Sequence, residues 1–441
     1  MRPTVVTLCV IALISICAAA YADIGQEPHD GNTPVTLQEY LRYAALNNAG
    51  LKAAFEQFKA AVEQVPQARA LPDPKFTYGY YIEEVETKEG PRSQNLQLMQ
   101  MFPWFGTIQA RTDAAASAAK AAKKRYEAAK LELFFQVKDT FFEYAFLARA
   151  VEIAQENLEL IKHFEEVARA KYIAAAAAHP DVVRAQIELA KFEDQLITLQ
   201  EFRKPVVARL NAVLNRRSFE MLPWPHKEQF QLVTLGRQQI IESLQKQNPE
   251  LQALSWDIQS AKTEVELAKK KFYPDIGLGV EWMTNMGMMG TGLKNSEKDE
   301  VVLMLGVNLP IWRDSYKAGE QQAKANVRKA TEHKTQAENT LIAQTEQALY
   351  DLEDSGRKAR LYGDVLVPKA QELLFVSEEA YKAGKVDFLS LIDSQRLLLE
   401  YQLSYERAVA NYAQKLAELE MLAGTELAPL PQETAAVKAD K

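Results

Sequence analysis

The sequence predicts a mixed α and β membrane protein. A transmembrane β-barrel with four strands per chain runs into a long α-helical coiled-coil tunnel, and the chain is an internal tandem duplication. Three observations predict it. An export-type N-terminus is followed by no apolar run long enough for a membrane-spanning helix, which needs ~20 residues. The chain echoes itself at an offset that drifts only from 200 to 209 residues. Each half carries two alternating patterns of strand length, then an almost unbroken helical pattern roughly 100 Å long at ~1.5 Å per residue.

Residues 1–22 read as a signal peptide: Arg2 gives the positive start, Val5 to Ala19 is apolar, and Ala20-Tyr21-Ala22 is a cleavage site before Asp23. A retained anchor is the alternative, and the short apolar run speaks against it. Cys9 and Cys17 both fall within this segment, and Ile16 stands where a lipid-anchor signal wants a small residue. The mature chain is expected to have no cysteine, no disulfide and no cofactor. Removing Arg2 takes the formal net charge from -7 to -8, which argues against nucleic acid as a partner. Residues 23–35 read as a linker.

The first repeat spans 36–215. Thr36 and Glu39 form a capping box, and one helix is expected from there to Ala70, ending at a Pro-Asp turn. Strands are expected at 75–86 and 93–103, with Phe76, Tyr78, Tyr80, Leu96, Leu98 and Phe102 on one face. A helical hairpin fills 105–215. An irregular connector at 216–238 contains "LPWPH". The second repeat, 239–424, gives a helix from Pro249 to Lys271, strands at 275–285 and 300–310, and a hairpin at 312–424, with a tail at 425–441. Pro368 is expected to kink that hairpin. Leu391, Leu398, Tyr405, Tyr412 and Leu419 recur every seven residues, a coiled-coil spacing.

Strands with one apolar face and one small or polar face suit a lipid-facing barrel, although a soluble β-sandwich would show the same alternation. Four strands cannot close a barrel alone, since about eight is the minimum. Two copies would supply eight and three would supply twelve, and an interior wide enough for a solute favours three or more. The five histidines, His29, His163, His179, His226 and His333, have no ligand spacing, and there is no phosphate loop or nucleophile elbow. An enzyme is not expected.

The duplicated plan, with "LPDP", "QMFPWFG", "FYPDIGLG", "NLPIW" and the run from Tyr381 to Leu427, resembles the TolC-type outer-membrane efflux proteins. The likeness covers roughly Thr36 to Leu427 and leans toward the heavy-metal branch. It implies a homotrimer with a twelve-stranded barrel and a twelve-helix periplasmic tunnel, in the outer membrane of a Gram-negative bacterium. It also implies a passive exit duct for metal ions or small toxic molecules, working with a periplasmic adaptor and an inner-membrane transporter of RND or ABC type. Two other readings stay open: the outer component of type I protein secretion, and a periplasmic coiled-coil adaptor without a barrel.

The resemblance also places candidate residues. Asp181, Tyr381 and Asp393 fall at gate positions, Ser390 stands where a second ring aspartate is usual, and Val386 replaces the gate arginine with Lys385 beside it. Three copies of Asp393 around one axis would draw cations into the mouth. Val182, Val386 and Phe388 are candidate adaptor contacts at the hairpin turns, with ordinary hairpin packing as the alternative. Pro103 with Trp104, and Pro310 with Trp312, mark strand-to-helix junctions, where proline cannot join a ladder and is tolerated at a helix start. Met283, Met286, Met288 and Met289 form a methionine-rich loop between strands, a candidate for soft metal ions or simply adaptable packing.

Overall fold

The computed structural model describes residue 34 and residues 36–87, 90–225, 232–233, 235–285 and 299–427. The expected signal peptide, Met286, Met288, Met289 and residues 428–441 lie outside these. The helix α1, Leu37–Asn47, starts at the expected capping box: Thr36 Oγ1 accepts the Glu39 N–H at 3.4 Å and Glu39 accepts the Thr36 N–H at 3.1 Å.

The single helix expected from Thr36 to Ala70 is in fact two, because Asn48 breaks it ahead of α2, Ala49–Arg69. Asn48 caps α2 through the Leu51 N–H at 2.9 Å, and its Nδ2 donates to the Val213 carbonyl at 2.8 Å. Asn248 does the same between α5, Arg237–Gln247, and α6, Pro249–Lys270. It accepts from the Glu250 and Leu251 N–H groups and donates to the Leu422 carbonyl at 3.0 Å. Each break hooks the end of a distant helix, which a local periodicity cannot register.

Four strands, β1 Lys75–Thr87, β2 Gly90–Phe102, β3 Ile276–Asn285 and β4 Glu300–Val307, form one antiparallel sheet in chain order. The register aligns Phe76, Leu98, Val280 and Leu303 across it, and Tyr78, Leu96, Trp282 and Val301 beside them. That face is bare: Ile82 is 93% exposed and Leu303 82%. A sandwich would cover it, and no described element does. The opposite face carries Gln97, Met99, Gly277, Gly279, Glu281 and Met304. Among the described residues no helix is long and apolar enough to cross a membrane.

The junctions differ from the expectation. β4 stops at Val307 rather than 310: the Asn308 N–H makes a last bond in register, to the Asp275 carbonyl at 3.1 Å, and Pro310 has no N–H to carry the ladder further. The next helices start at Thr107 and Arg313, so Pro103 and Pro310 lie in the links and not in a first helical turn. Gly106, with φ of 80°, makes the bend into the first of them. Trp104 donates its N–H to Asp275 Oδ1 at 3.1 Å and stacks on Tyr273 at 5.1 Å. Trp312 is 73% exposed.

The helix α3, Thr107–Ile173, runs 67 residues and is followed by α4, His179–Leu214. The second hairpin consists of α7 Arg313–Arg360, a π-helical turn Leu361–Leu366, α8 Val367–Lys382 and α9 Phe388–Ala423. Pro368, the expected kink position, follows a π segment. Having no N–H for a carbonyl four residues back, it lets the register widen, and the Val367 N–H reaches the Tyr362 carbonyl. The heptad residues of α9 face this hairpin: a Cβ on Gly363 would stand 2.7 Å from the Tyr405 ring, and one on Gly356 would stand 3.2 Å from the Tyr412 ring. Small residues one heptad apart thus receive two tyrosines.

Candidate functional site

A ladder of polar contacts ties the antiparallel α3 and α9 from the end near Gly424 toward the hairpin turns. Lys138 pairs with Glu420 at 2.5 Å, Glu143 takes two hydrogen bonds from Arg407 at 2.6 and 3.1 Å, and Arg149 reaches Glu406 at 3.2 Å. Further along, Asn157 accepts from Gln395 at 2.9 Å and donates to Gln402 at 3.1 Å. Gln395 is fully buried. Buried amides of this kind fix register, since a slip would strand them without partners.

At the turns, α4 meets α9 through a charged cluster. Glu188, 7% exposed, accepts from Arg396 at 2.5 and 3.2 Å and from Lys191 at 3.0 Å. Burial would raise its pKa, but the hydrogen bonds from Arg396 and Lys191 outweigh this and hold it below the usual glutamate range. Arg396 also contacts Asp393 at 3.4 Å, so the exposed Asp393 carries a counter-charge within its own chain. Glu188 and Arg396 were not anticipated from sequence: each is one of many charges on a helical pattern, and only packing shows that they converge.

The other expected gate residues separate into distinct roles. Tyr381 is buried against Phe388, and the Lys171 ammonium lies 4.4 Å from the Tyr381 ring centre and donates to the Tyr381 carbonyl. Its hydroxyl has no hydrogen-bond partner among the described residues. Burial raises its pKa, and the nearby Asp181 carboxylate adds to this. Ser390 joins a helix cap: Asp387 accepts its N–H at 3.0 Å and its hydroxyl at 2.6 Å, which holds the Asp387 pKa down. Lys385 is exposed.

The adaptor-contact reading took Val386 and Phe388 as exposed apolar side chains, and the structure corrects that premise. Phe388 is fully buried and Val182 is 7% exposed, while Val386 packs half-buried on the same core as Phe164, Leu391 and Ile392. Phe388 and Val386 thus pack into the core that the hairpins share. The apolar residues left exposed there are Tyr172, Ile173, Val183 and Leu389. Met283, expected in a loop, is the buried eighth residue of β3, on the small and polar face of the sheet. Among the described residues no group of three His, Cys, Asp or Glu side chains could hold a metal ion.

A bare lipid-type sheet face, drawn out of helices this long, defines a membrane channel of the barrel-and-tunnel class rather than an enzyme. The chain belongs to the outer membrane efflux protein family, whose sequence model matches residues 41–216 and 240–425. It is a passive channel of the outer membrane extending into the periplasm. Nodulation protein T of Rhizobium leguminosarum bv. trifolii is 24% identical over 420 residues, covering 90% of this chain and 87% of that protein. The cobalt-zinc-cadmium resistance protein CzcC of Cupriavidus metallidurans is 22% identical over 421 residues, covering 92% of this chain and 95% of that protein. The crystal structure of CusC superposes with a TM-score of 0.76 at 15% identity, over 91% of this chain and 96% of that one. That likeness is one of fold.

Proposed function

We propose that three copies of this chain close their sheets into one twelve-stranded barrel and their hairpins into one tunnel, the exit duct of a tripartite pump. The observation that carries this is the open sheet: β1 and β4 form its two outer edges, the apolar face is bare, and four strands per chain need further copies to close. The double match of the family model within one chain supports the duplicated plan. An inner-membrane transporter of RND type and a periplasmic adaptor deliver the cargo, with the adaptor meeting the exposed apolar residues of the turns. Metal cations are the favoured cargo, a choice supported by the likeness to the cobalt-zinc-cadmium resistance protein.

In this reading the tunnel mouth opens when α4 parts from α9, which requires Glu188 and Arg396 to separate. Three Asp393 carboxylates then face one axis, their pull on cations weakened by Arg396 while the clamp is closed. Planar-bilayer recording of the purified protein, beside cross-linking between the β1 and β4 edges, tests the assembly. Cross-links that stop at three and a cation block relieved by Asp393→Ala are expected. Products stopping at two, or an unaltered block, remove the trimer or the ring. Deletion of the gene should lower metal tolerance and leave drug tolerance unchanged; impaired export of a protein, with both unchanged, would point to type I secretion instead.

A further inference from the structure

The methionines that the structure gathers are not the ones the sequence drew attention to. On the sheet face turned away from lipid, Met99 is aligned with Gly279 and Met304, and Met101 with Gly277 and Gly306. Two of the sulfurs, those of Met99 and Met101, approach one another where Gly277 leaves room, and Met304 lies one glycine further along the same face. A Cβ on Gly277 would stand 2.8 Å from Met101 Sδ and 3.7 Å from Met99 Sδ, so the two thioethers are separated by no more than the sum of those distances. Met304 lies across the adjacent glycine, its Cε 3.4 Å from where a Gly279 Cβ would be, and its sulfur accepts from Gln97 Nε2 at 3.8 Å. One register step on, Glu281 brings a carboxylate to the same face, held by Asn95 at 2.9 Å.

We infer that Met99, Met101 and Met304 form a binding site for a soft monovalent cation, Cu(I) or Ag(I), on the inner wall of the barrel. Thioethers select soft ions, and a set lacking thiolate, imidazole or a chelating carboxylate discriminates against Zn(II) and Co(II). All three side chains are half-buried rather than locked in a core, and three rotatable bonds let each swing its sulfur inward. Filling the space over Gly277 and Gly279 would need only carbon, and leucine would do it. Here sulfur, amide and carboxylate share one water-facing wall. The nearby Glu281 charge favours a cation without entering its ligand set. This deepens the metal-efflux reading and rests on it for biological meaning, while the site itself stands on the geometry above.

The test uses the purified full-length channel labelled with ¹³C at the methionine methyls, titrated with Ag(I) and, separately, with Zn(II). The methyl signals of Met99, Met101 and Met304, assigned by single leucine substitutions, should move with Ag(I) and stay with Zn(II). The triple variant M99L/M101L/M304L should bind Ag(I) at least about tenfold more weakly. A variant with leucine at 283, 286, 288 and 289 should bind it as the natural chain does. Should the triple variant fail to assemble, Gly277→Ala perturbs the site by placing a methyl against Met101 Sδ, and should weaken Ag(I) binding alone. Unmoved signals at the three methionines, or silver binding that only the second variant loses, overturns the inference. Conductance of the same preparation is read in parallel, so a working channel without silver binding refutes this site and leaves the channel reading intact.

Discussion

Arg396 on α9 donates two hydrogen bonds to the buried carboxylate of Glu188 on α4. Those helices come from different hairpins, so this contact joins the two hairpins beside the apolar core they share. Glu188→Gln keeps the shape and removes the charge. The tip should then loosen by about 1–3 kcal/mol, the usual cost of weakening a buried charged hydrogen bond. Amide exchange should quicken at residues 179–190 and 388–399, with no change in the sheet; equal exchange in both proteins would show that the clamp does not bear on the tip.

The same carboxylate sets a pH response. Its folded-state pKa lies below the unfolded one, so its contribution is fully present above the ordinary glutamate range near pH ~4.3. It fades only as pH falls through the lower, folded value. Channel opening should therefore stay constant from neutral pH down to that range and rise in more acidic solution, and Glu188→Gln should abolish the rise. Single-channel recording across this interval measures it.

Gly384 and Gly424 both have positive φ, but their surroundings differ. A Cβ on Gly384 meets nothing within 4 Å, whereas one on Gly424 would press on the Gln247 carbonyl oxygen at 2.8 Å and Asn248 Cα at 3.0 Å. Both pay for the left-handed backbone, so Gly424→Ala should cost about 1–3 kcal/mol beyond Gly384→Ala. Thermal melts of the two variants give the comparison, and equal melting would mean that the break at Asn248 yields.

Leu303 and Val302 are neighbours in β4 on opposite faces. Leu303 lies in the apolar row with Leu98 and Val280, and Val302 is aligned with Glu281. Leu303→Arg should destabilise the barrel by about 2–4 kcal/mol if that row meets the middle of the bilayer. Val302→Arg should be tolerated. Heat-modified electrophoretic mobility of membrane-inserted protein reports the difference, and an equal effect at both positions would refute the assignment of faces.

Much of this was legible locally. Alternation at Leu278, Val280 and Trp282 sufficed to place a face, because a strand's period depends on its own residues alone. The heptad of α9 was similarly plain. What escaped depended on partners far along the chain. Asn48 looked like one more polar residue in a helix until Val213 arrived beside it. Phe388 looked exposed because a turn residue carries no sign of which side of the turn it packs on. Met283 was read with its sequence neighbours as part of a loop, although the expected strand at 275–285 already took it in, and β3 ends at Asn285 as expected. The methionines that share one sheet face, Met99, Met101 and Met304, come from β2 and β4, which no single window spans.

The seam between β2 and β3 imposes an order of events. Asn95 meets Glu281 across 186 residues of chain, and Arg92 on β2 reaches past β3 to Glu300 on β4 across 208. Contacts of such long range form slowly, since the intervening loop must be gathered first. The first hairpin, with Phe76, Tyr78 and Leu98 already facing outward, must wait as an unfinished greasy edge until the rest of the polypeptide has emerged. The yield of a chain made this way should depend on how long the first hairpin stays alone.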